Sequence, residues 1–319
     1  VEAVVLAVEA KKLSVGYEES DELLWAVREV SFEVREGEAF CIVGESGSGK
    51  STVASAIAGI LPPHGVTDGE LRVGGRVVVK GNERDYEGVR GRLVTYVPQS
   101  PGASLNPYLE IGDQFYYVLS SLYGLSRREA VEKARAYLRM AGLEPDAVLD
   151  RYPHELSGGM QQRAAIALAL STGARILVAD EPTSSLDAHL RLQIVELLKR
   201  LRAEAGLTLI FITHDMLLAG ALSERVAVMY AGRLVELGPT REVLRKPLHP
   251  YTSMLIESVP VLGVKRPLKA YTGEPPSPGE PGGGCPFYER CPFRLEVCAS
   301  ENPPAKEVGE SRRVACWLF

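Results

Sequence analysis

Two separate stretches of this chain carry the residue types needed to hold phosphate. The first, "GESGSGKST" at residues 44–52, has the Gly-x4-Gly-Lys-Ser spacing of a phosphate-binding loop. Glycines let backbone N–H groups turn inward around phosphate oxygens, Lys50 reaches the outer phosphates, and Ser51 offers its hydroxyl to Mg²⁺. The second, "LSGGMQQR" at residues 156–163, places a hydroxyl and two glycines ahead of a helical pattern. Free N–H groups and the positive end of the helix dipole suit such a terminus to an anion.

Between and beyond them lie polar groups that end apolar runs. "RILVADEPTSSLD" delivers Asp180 at the end of a buried-strand pattern, where it can hold Mg²⁺ through water. Glu181, next to it, is placed to orient or deprotonate an attacking water. Gln99 closes "LVTYVPQ" and His214 closes "TLIFITH". A lone glutamine or histidine at a strand end is usually a solvated terminus. Two of them on strands of one sheet can face one edge.

Four of the five cysteines fall near the C-terminus, as Cys285, Cys291, Cys298 and Cys316, in the spacing Cys-x5-Cys-x6-Cys-x17-Cys. This differs from the Cys-x2-Cys knuckles of structural zinc. Four thiolates on short loops can still enclose a metal, and iron–sulfur, zinc, free thiols or disulfides all stay open on the spacing. Cys41, inside "EAFCIVG", reads as a packing residue of a buried strand.

The elements that must position these groups follow from hydrophobic period. Residues 1–40 alternate with β-branched side chains, and "GELRVGGRVVVKG" reads as a hairpin around Gly74 and Gly75. "AFCIVG" is a buried strand that feeds the phosphate loop and a following helix. Residues 106–152 turn helical, with "REAVEKARAYLRMAGL" clearly amphipathic. Strands then alternate with helices, which implies a mostly parallel sheet covered on both faces, with an antiparallel patch at the N-terminus. Residues 271–284, "YTGEPPSPGEPGGG", read as a linker. A cut at Gly283 is therefore expected to leave the preceding domain folded, and the cysteine segment to stand apart from phosphate chemistry.

Bulk properties narrow the class. The chain has 319 residues, 45% hydrophobic content and a formal charge of −5, which argues against nucleic acid as the main partner. Mean hydropathy of −0.01 fits a folded soluble protein, and the longest apolar runs fall short of a bilayer span. The apolar start carries Glu2 and Glu9 and reads as a strand rather than a signal peptide, implying a reducing compartment.

Taken jointly, the phosphate loop, Gln99, "LSGGMQQR", "ILVADEPT", "SSLD" and His214 resemble, in order and spacing, the ATP-binding cassette (ABC) ATPases over about residues 8–250. The resemblance implies an α/β P-loop NTPase core of RecA-like type. An antiparallel β patch, a helical subdomain at about residues 104–155, and a C-terminal extension at 256–319 complete the chain, with the cassette at 1–255. It implies ATP binding by Gly44, Ser46, Gly47, Ser48, Gly49, Lys50, Ser51, Thr52, Gln99, Asp180, Glu181 and His214. Ser51, Gln99 and Asp180 would serve Mg²⁺, and Glu181, His214 and Gln99 catalysis. Tyr17 is similar to the aromatic that stacks on adenine, with Trp25 the competing candidate. The signature residues Ser157, Gly158, Gly159 and Gln161 would face ATP held by a partner cassette, with Ser157 and Gly159 at its γ-phosphate. Two cassettes would thus close head-to-tail over two nucleotides. Asp187 falls in the loop that communicates across that dimer, where Ser185 replaces a more usual alanine.

"HPYT", the "CPF…RCPF" pair and "VACW" resemble the extension of oligopeptide/dipeptide ABC ATPases, some of which hold a 4Fe–4S cluster. The resemblance therefore implies iron–sulfur ahead of zinc. It further implies an ATPase that energises an importer of oligopeptides, dipeptides or related solutes such as oligosaccharides. Its expected partners are a second, identical or homologous ATPase subunit, two transmembrane permeases and, indirectly, an extracellular solute-binding protein. Its expected place is peripheral, on the cytoplasmic face of the membrane. A soluble ABC ATPase acting on DNA or ribosomes fits less well, since residues 52–156 hold neither heptads nor cysteines and the chain has one cassette. A degenerate, non-hydrolysing cassette is opposed by the presence of Glu181 and His214.

Overall fold

A computed structural model describes residues 5–19, 22–100, 104–184, 186–259, 273–276 and 283–319. Ser185 and most of the segment read as a linker lie outside the described residues, as do residues 1–4.

Among the described residues the main sheet has eight strands. Five run parallel, in spatial order β10 (Arg225–Tyr230), β3 (Ala39–Val43), β9 (Thr208–Thr213), β8 (Ile176–Asp180) and β7 (Val94–Val97). All residues of β3, β8 and β9 are buried, as unbroken apolar strands of a two-sided parallel sheet should be. Cys41 lies fully buried in β3, and burial pushes its thiol well above the ordinary range, in keeping with a packing role. The second sheet is antiparallel, in order β2 (Glu22–Arg35), β1 (Leu6–Glu19), β4 (Gly65–Val73), β5 (Arg76–Lys80) and β6 (Glu83–Arg84). Its β4–β5 hairpin turns at Gly74 and Gly75, which adopt φ of +56° and +77°.

Helices Ile111–Tyr123 and Arg127–Met140 form the helical region, the second opened by a capping box between Ser126 and Glu129. Their apolar faces (Phe115, Leu119, Ala134, Leu138) join one core with Ala164 and Ile166 of the helix that follows the signature. Among the described residues, no helix is long and apolar enough to cross a membrane.

The C-terminal segment is not an appendage, contrary to the expectation that few contacts cross from it. Strand β13 (Arg312–Ala315) pairs antiparallel with β11 (Arg233–Pro239), and β12 (Ala305–Val308) pairs with β13, so the main sheet continues into the tail. Phe287 is fully buried, its ring 5.3 Å from Tyr230 and 5.5 Å from Tyr251. Arg312 reaches the fully buried carboxylate of Glu236, which also accepts from the backbone N–H of Leu248 and His249. An apolar anchor, a strand pairing and a buried ion pair together make the tail part of the cassette's own core.

Phe287→Ala is therefore expected to lower the unfolding free energy of the whole chain by about 3–5 kcal/mol, the usual cost of emptying a buried aromatic site. Denaturant unfolding followed by tryptophan fluorescence and circular dichroism checks this. An unchanged main transition would mean that the tail is energetically separate.

Candidate active site

Parallel strands share a direction, so the residues at their carboxyl ends emerge at one edge. The phosphate loop follows β3, which lies between β10 and β9, and runs into helix α1 (Lys50–Ala58). Gly49 sits at φ +93°, where a Cβ would lie 2.6 Å from the Ala26 carbonyl oxygen, so both conformation and space demand glycine. Lys50 is 5% exposed, and its Nζ donates to the Glu45 carbonyl at 2.7 Å and lies 3.3 Å from Ser48 Oγ. Burial lowers the Lys50 pKa, while the carboxylates of Glu181, Asp180 and Glu45 pull it back up. Gly44, Ser46 and Gly47 complete the loop, and Ser51 and Thr52 open the helix. The Tyr17 hydroxyl donates to Thr52 Oγ1 at 3.3 Å, which brings this aromatic to the loop's helix. Trp25 instead packs over Gly16, its partner across β1 and β2.

Asp180 ends β8 and is 3% exposed. Its Oδ2 accepts from the Tyr96 hydroxyl at 3.1 Å, while Oδ1 is buried without a well-formed hydrogen bond. Burial raises its pKa, and the neighbouring hydroxyls of Ser51 and Tyr96 oppose that rise. A buried carboxylate with an orphaned oxygen beside a serine hydroxyl fits a hard divalent cation such as Mg²⁺, which takes oxygen donors. Tyr96 was not among the expected site residues. Its place one strand away from Asp180 depends on the β7–β8 register, which local sequence does not carry.

Glu181 holds a left-handed backbone, with φ of +42°, and its N–H donates to the Ile212 carbonyl at 2.9 Å. Such a conformation costs about 1–3 kcal/mol in a non-glycine residue and persists only where surroundings fix it. Its side chain is met from two strands. Gln99 Nε2 donates to Oε2 at 3.2 Å, and His214 Nδ1 lies 3.1 Å from Oε1. The three residues read separately from strand ends are thus one constellation. Gln99 and His214 are exposed, so the constellation opens to solvent at the sheet edge.

The signature residues are placed differently. Ser157 is exposed and caps the helix Gly158–Ser171, accepting from the Met160 N–H at 3.4 Å. Gly158 has open space around it, whereas a Cβ on the buried Gly159 would meet Leu190 at 3.2 Å. Gln161 spends its amide donors on the carbonyls of Pro153 and Leu156, so it secures the preceding turn. Asp187 caps the helix Ala188–Ala205 through the Leu190 N–H.

Cys285, Cys291, Cys298 and Cys316 are free thiols that line one small cavity with His249 and Trp317. Burial pushes Cys285 up to about 11 and raises Cys291 and Cys316. Burial also lowers His249 to about 3, leaving a neutral ring whose Nδ1 accepts from the Tyr251 N–H. Among the described residues, no three His, Cys, Asp or Glu side chains form a group that could hold a metal ion.

Comparisons with known proteins agree with this geometry. Residues 27–184 match the family model for the ABC transporter, and residues 235–298 match that for the oligopeptide/dipeptide transporter C-terminal region. The chain is 40% identical over 297 residues to the dipeptide transport ATP-binding protein DppD of Bacillus subtilis, covering 92% of this chain and 89% of that one. It is 38% identical over 309 residues to the oligopeptide transport ATP-binding protein OppD of Escherichia coli, covering 96% and 91%. Among solved structures, the dimeric bacterial ABC transporter cassette MJ0796 superposes with a TM-score of 0.64 at 31% identity, over 73% of this chain and 99% of that one. The sheet edge that gathers Lys50, Asp180, Glu181, Gln99 and His214 is thus the edge of an ATPase cassette, and the chain belongs to the ABC transporter ATPases, among those with the oligopeptide/dipeptide transporter C-terminal region.

Proposed function

We propose that this chain is the ATP-hydrolysing subunit of an ABC importer for oligopeptides or dipeptides, docked on the cytoplasmic face of two transmembrane permeases and paired with a second cassette. The observation that carries the hydrolytic part is the clamping of the Glu181 carboxylate by Gln99 and His214 beside the phosphate loop. The relatives' names and the C-terminal family region support the solute class, and the importer reading brings with it a solute-binding protein as an indirect partner. The net charge of −5 supports a role without nucleic acid.

The loop N–H groups and Lys50 cradle the β- and γ-phosphates, and Tyr17 stacks on the base. Lys50 leaves the Glu45 carbonyl for phosphate oxygens once these arrive. Ser51 and Asp180, with Gln99, would hold Mg²⁺, which supplies neutralisation of charge on the phosphates. Glu181 accepts a proton from the water that attacks the γ-phosphorus, as the bond to the β-phosphate oxygen breaks and ADP leaves. Gln99 and His214 fix that carboxylate and keep it aimed at the edge. Ser157, Gly158 and Gly159 present an exposed helix terminus to the partner's γ-phosphate.

Glu181→Gln should retain ATP binding while lowering turnover by about 10²–10⁴-fold, the usual contribution of a positioned base. Turnover within tenfold of the parent, in the same assembled transporter, would assign the role to another group.

Ser157→Arg should leave nucleotide binding at the chain's own loop intact and abolish ATP-dependent association with the partner cassette. Sedimentation of the Glu181→Gln background with and without this change reads the effect. Association at parental strength would contradict a composite site.

For the tail we infer a 4Fe–4S cluster on Cys285, Cys291, Cys298 and Cys316. The reading rests on the resemblance of this segment to extensions that hold such a cluster, together with four free thiols that line one small cavity. Protein purified without oxygen should be brown and contain acid-labile sulfide, and any single Cys→Ser change should release it. Colourless protein carrying zinc, or no metal at all, would overturn this reading.

A further inference from the structure

Glu45 is an unexpected residue in a loop built to receive polyanionic phosphate. It follows Gly44 directly, and its carbonyl holds Lys50. A carboxylate so close to the phosphates opposes their binding unless it is neutralised or held aside. Its partner comes from the other end of the chain. Arg290 grips it in bidentate fashion, Nη1 donating to Oε2 at 2.7 Å and Nη2 to Oε1 at 2.9 Å. The Arg290 side chain is only 6% exposed, and its guanidinium lies 5.7 Å from the Tyr230 ring and 5.8 Å from that of Phe287. Tyr230 accepts a further hydrogen bond from Nη1. Tyr251 takes the Glu45 N–H at 2.8 Å. Glu45 is therefore fixed at N–H, carboxylate and carbonyl, two of the three by residues beyond the nucleotide motifs.

Arg290 is in turn fixed by the cysteine module. It ends a short 3₁₀ turn (Tyr288–Arg290) in which the Tyr288 N–H donates to the Cys285 carbonyl and the Cys291 N–H to the Tyr288 carbonyl. A buried, planar, two-pronged donor needs this degree of preorganisation, and a lysine offers no equivalent fork.

We propose that Arg290 is a positioning residue for nucleotide binding, which neutralises Glu45 and holds its carboxylate away from the phosphate path, so that the cysteine module forms part of the ATP site. This rests on the reading of residues 44–52 as the nucleotide loop. The experiment is a double-mutant cycle on the full chain, using calorimetric binding of Mg-ATP and steady-state hydrolysis. Arg290→Met should weaken ATP binding about tenfold and raise KM with little change in kcat, because binding to substrate and transition state is lost alike. Glu45→Gln should bind at least as tightly as the parent. Arg290→Met combined with Glu45→Gln should return to within about threefold of the parent, since no carboxylate then needs a partner. Should Arg290→Met alone fail to fold, Arg290→Lys serves, with weaker binding expected on the parental background and no effect on the Glu45→Gln background. Binding within twofold of the parent in the foldable Arg290 variant, or no rescue by Glu45→Gln, overturns the proposal. Parental protein that binds no ATP, or binds it equally well after Lys50→Ala, would refute the nucleotide reading instead.

Discussion

The parallel pairing of β3 with β9, of β9 with β8, and of β8 with β7 is the constraint on which the site depends. Each strand is short, buried and apolar, and each is followed by the polar group the chemistry needs. Because the strands run one way, the phosphate loop, His214, Asp180 and Gln99 have nowhere to emerge except one edge. Slipping any of these strands by one residue would turn its core side chains to the other face and move its terminal group with them. The hydrophobic burial that fixes register also fixes the catalytic geometry.

That geometry contains groups which are unfavourable taken alone. Lys50 and Asp180 are buried charges, Glu181 has a left-handed backbone, and an oxygen of Asp180 lacks a proper partner. Each makes sense beside the others. Lys50 and Asp180 lie in one another's field, and the Glu181 strain is held by the Ile212 carbonyl and by two side chains from neighbouring strands. An edge prepared in this way meets a phosphate chain with donors and dipoles already oriented.

Local motifs made much of this legible from sequence. The phosphate loop, the strand that precedes it and the Asp180–Glu181 pair declare themselves within a few residues. Gln99 and His214 were legible because they end apolar runs of one sheet. The contacts of Tyr96 and Arg290 were not. The first depends on sheet register, and the second joins residues 245 apart in sequence. The tail's packing escapes the sequence for a related reason. Its Pro- and Gly-rich approach suggests independence, whereas the strands Ala305–Val308 and Arg312–Ala315 are too short to show an apolar period. Their pairing with β11 and the burial of Phe287 are decided by tertiary contact alone.

In the proposed division of labour, this chain builds one complete phosphate cradle at its sheet edge and leaves a second, at residues 157–159, for another cassette's nucleotide. Amide hydrogen exchange on the monomeric chain, with and without saturating Mg-ATP, tests this most directly. Exchange should slow at residues 44–52 and around Asp180, with residues 157–161 exchanging as in the nucleotide-free protein. Equal protection of residues 157–161 in the monomer would contradict it.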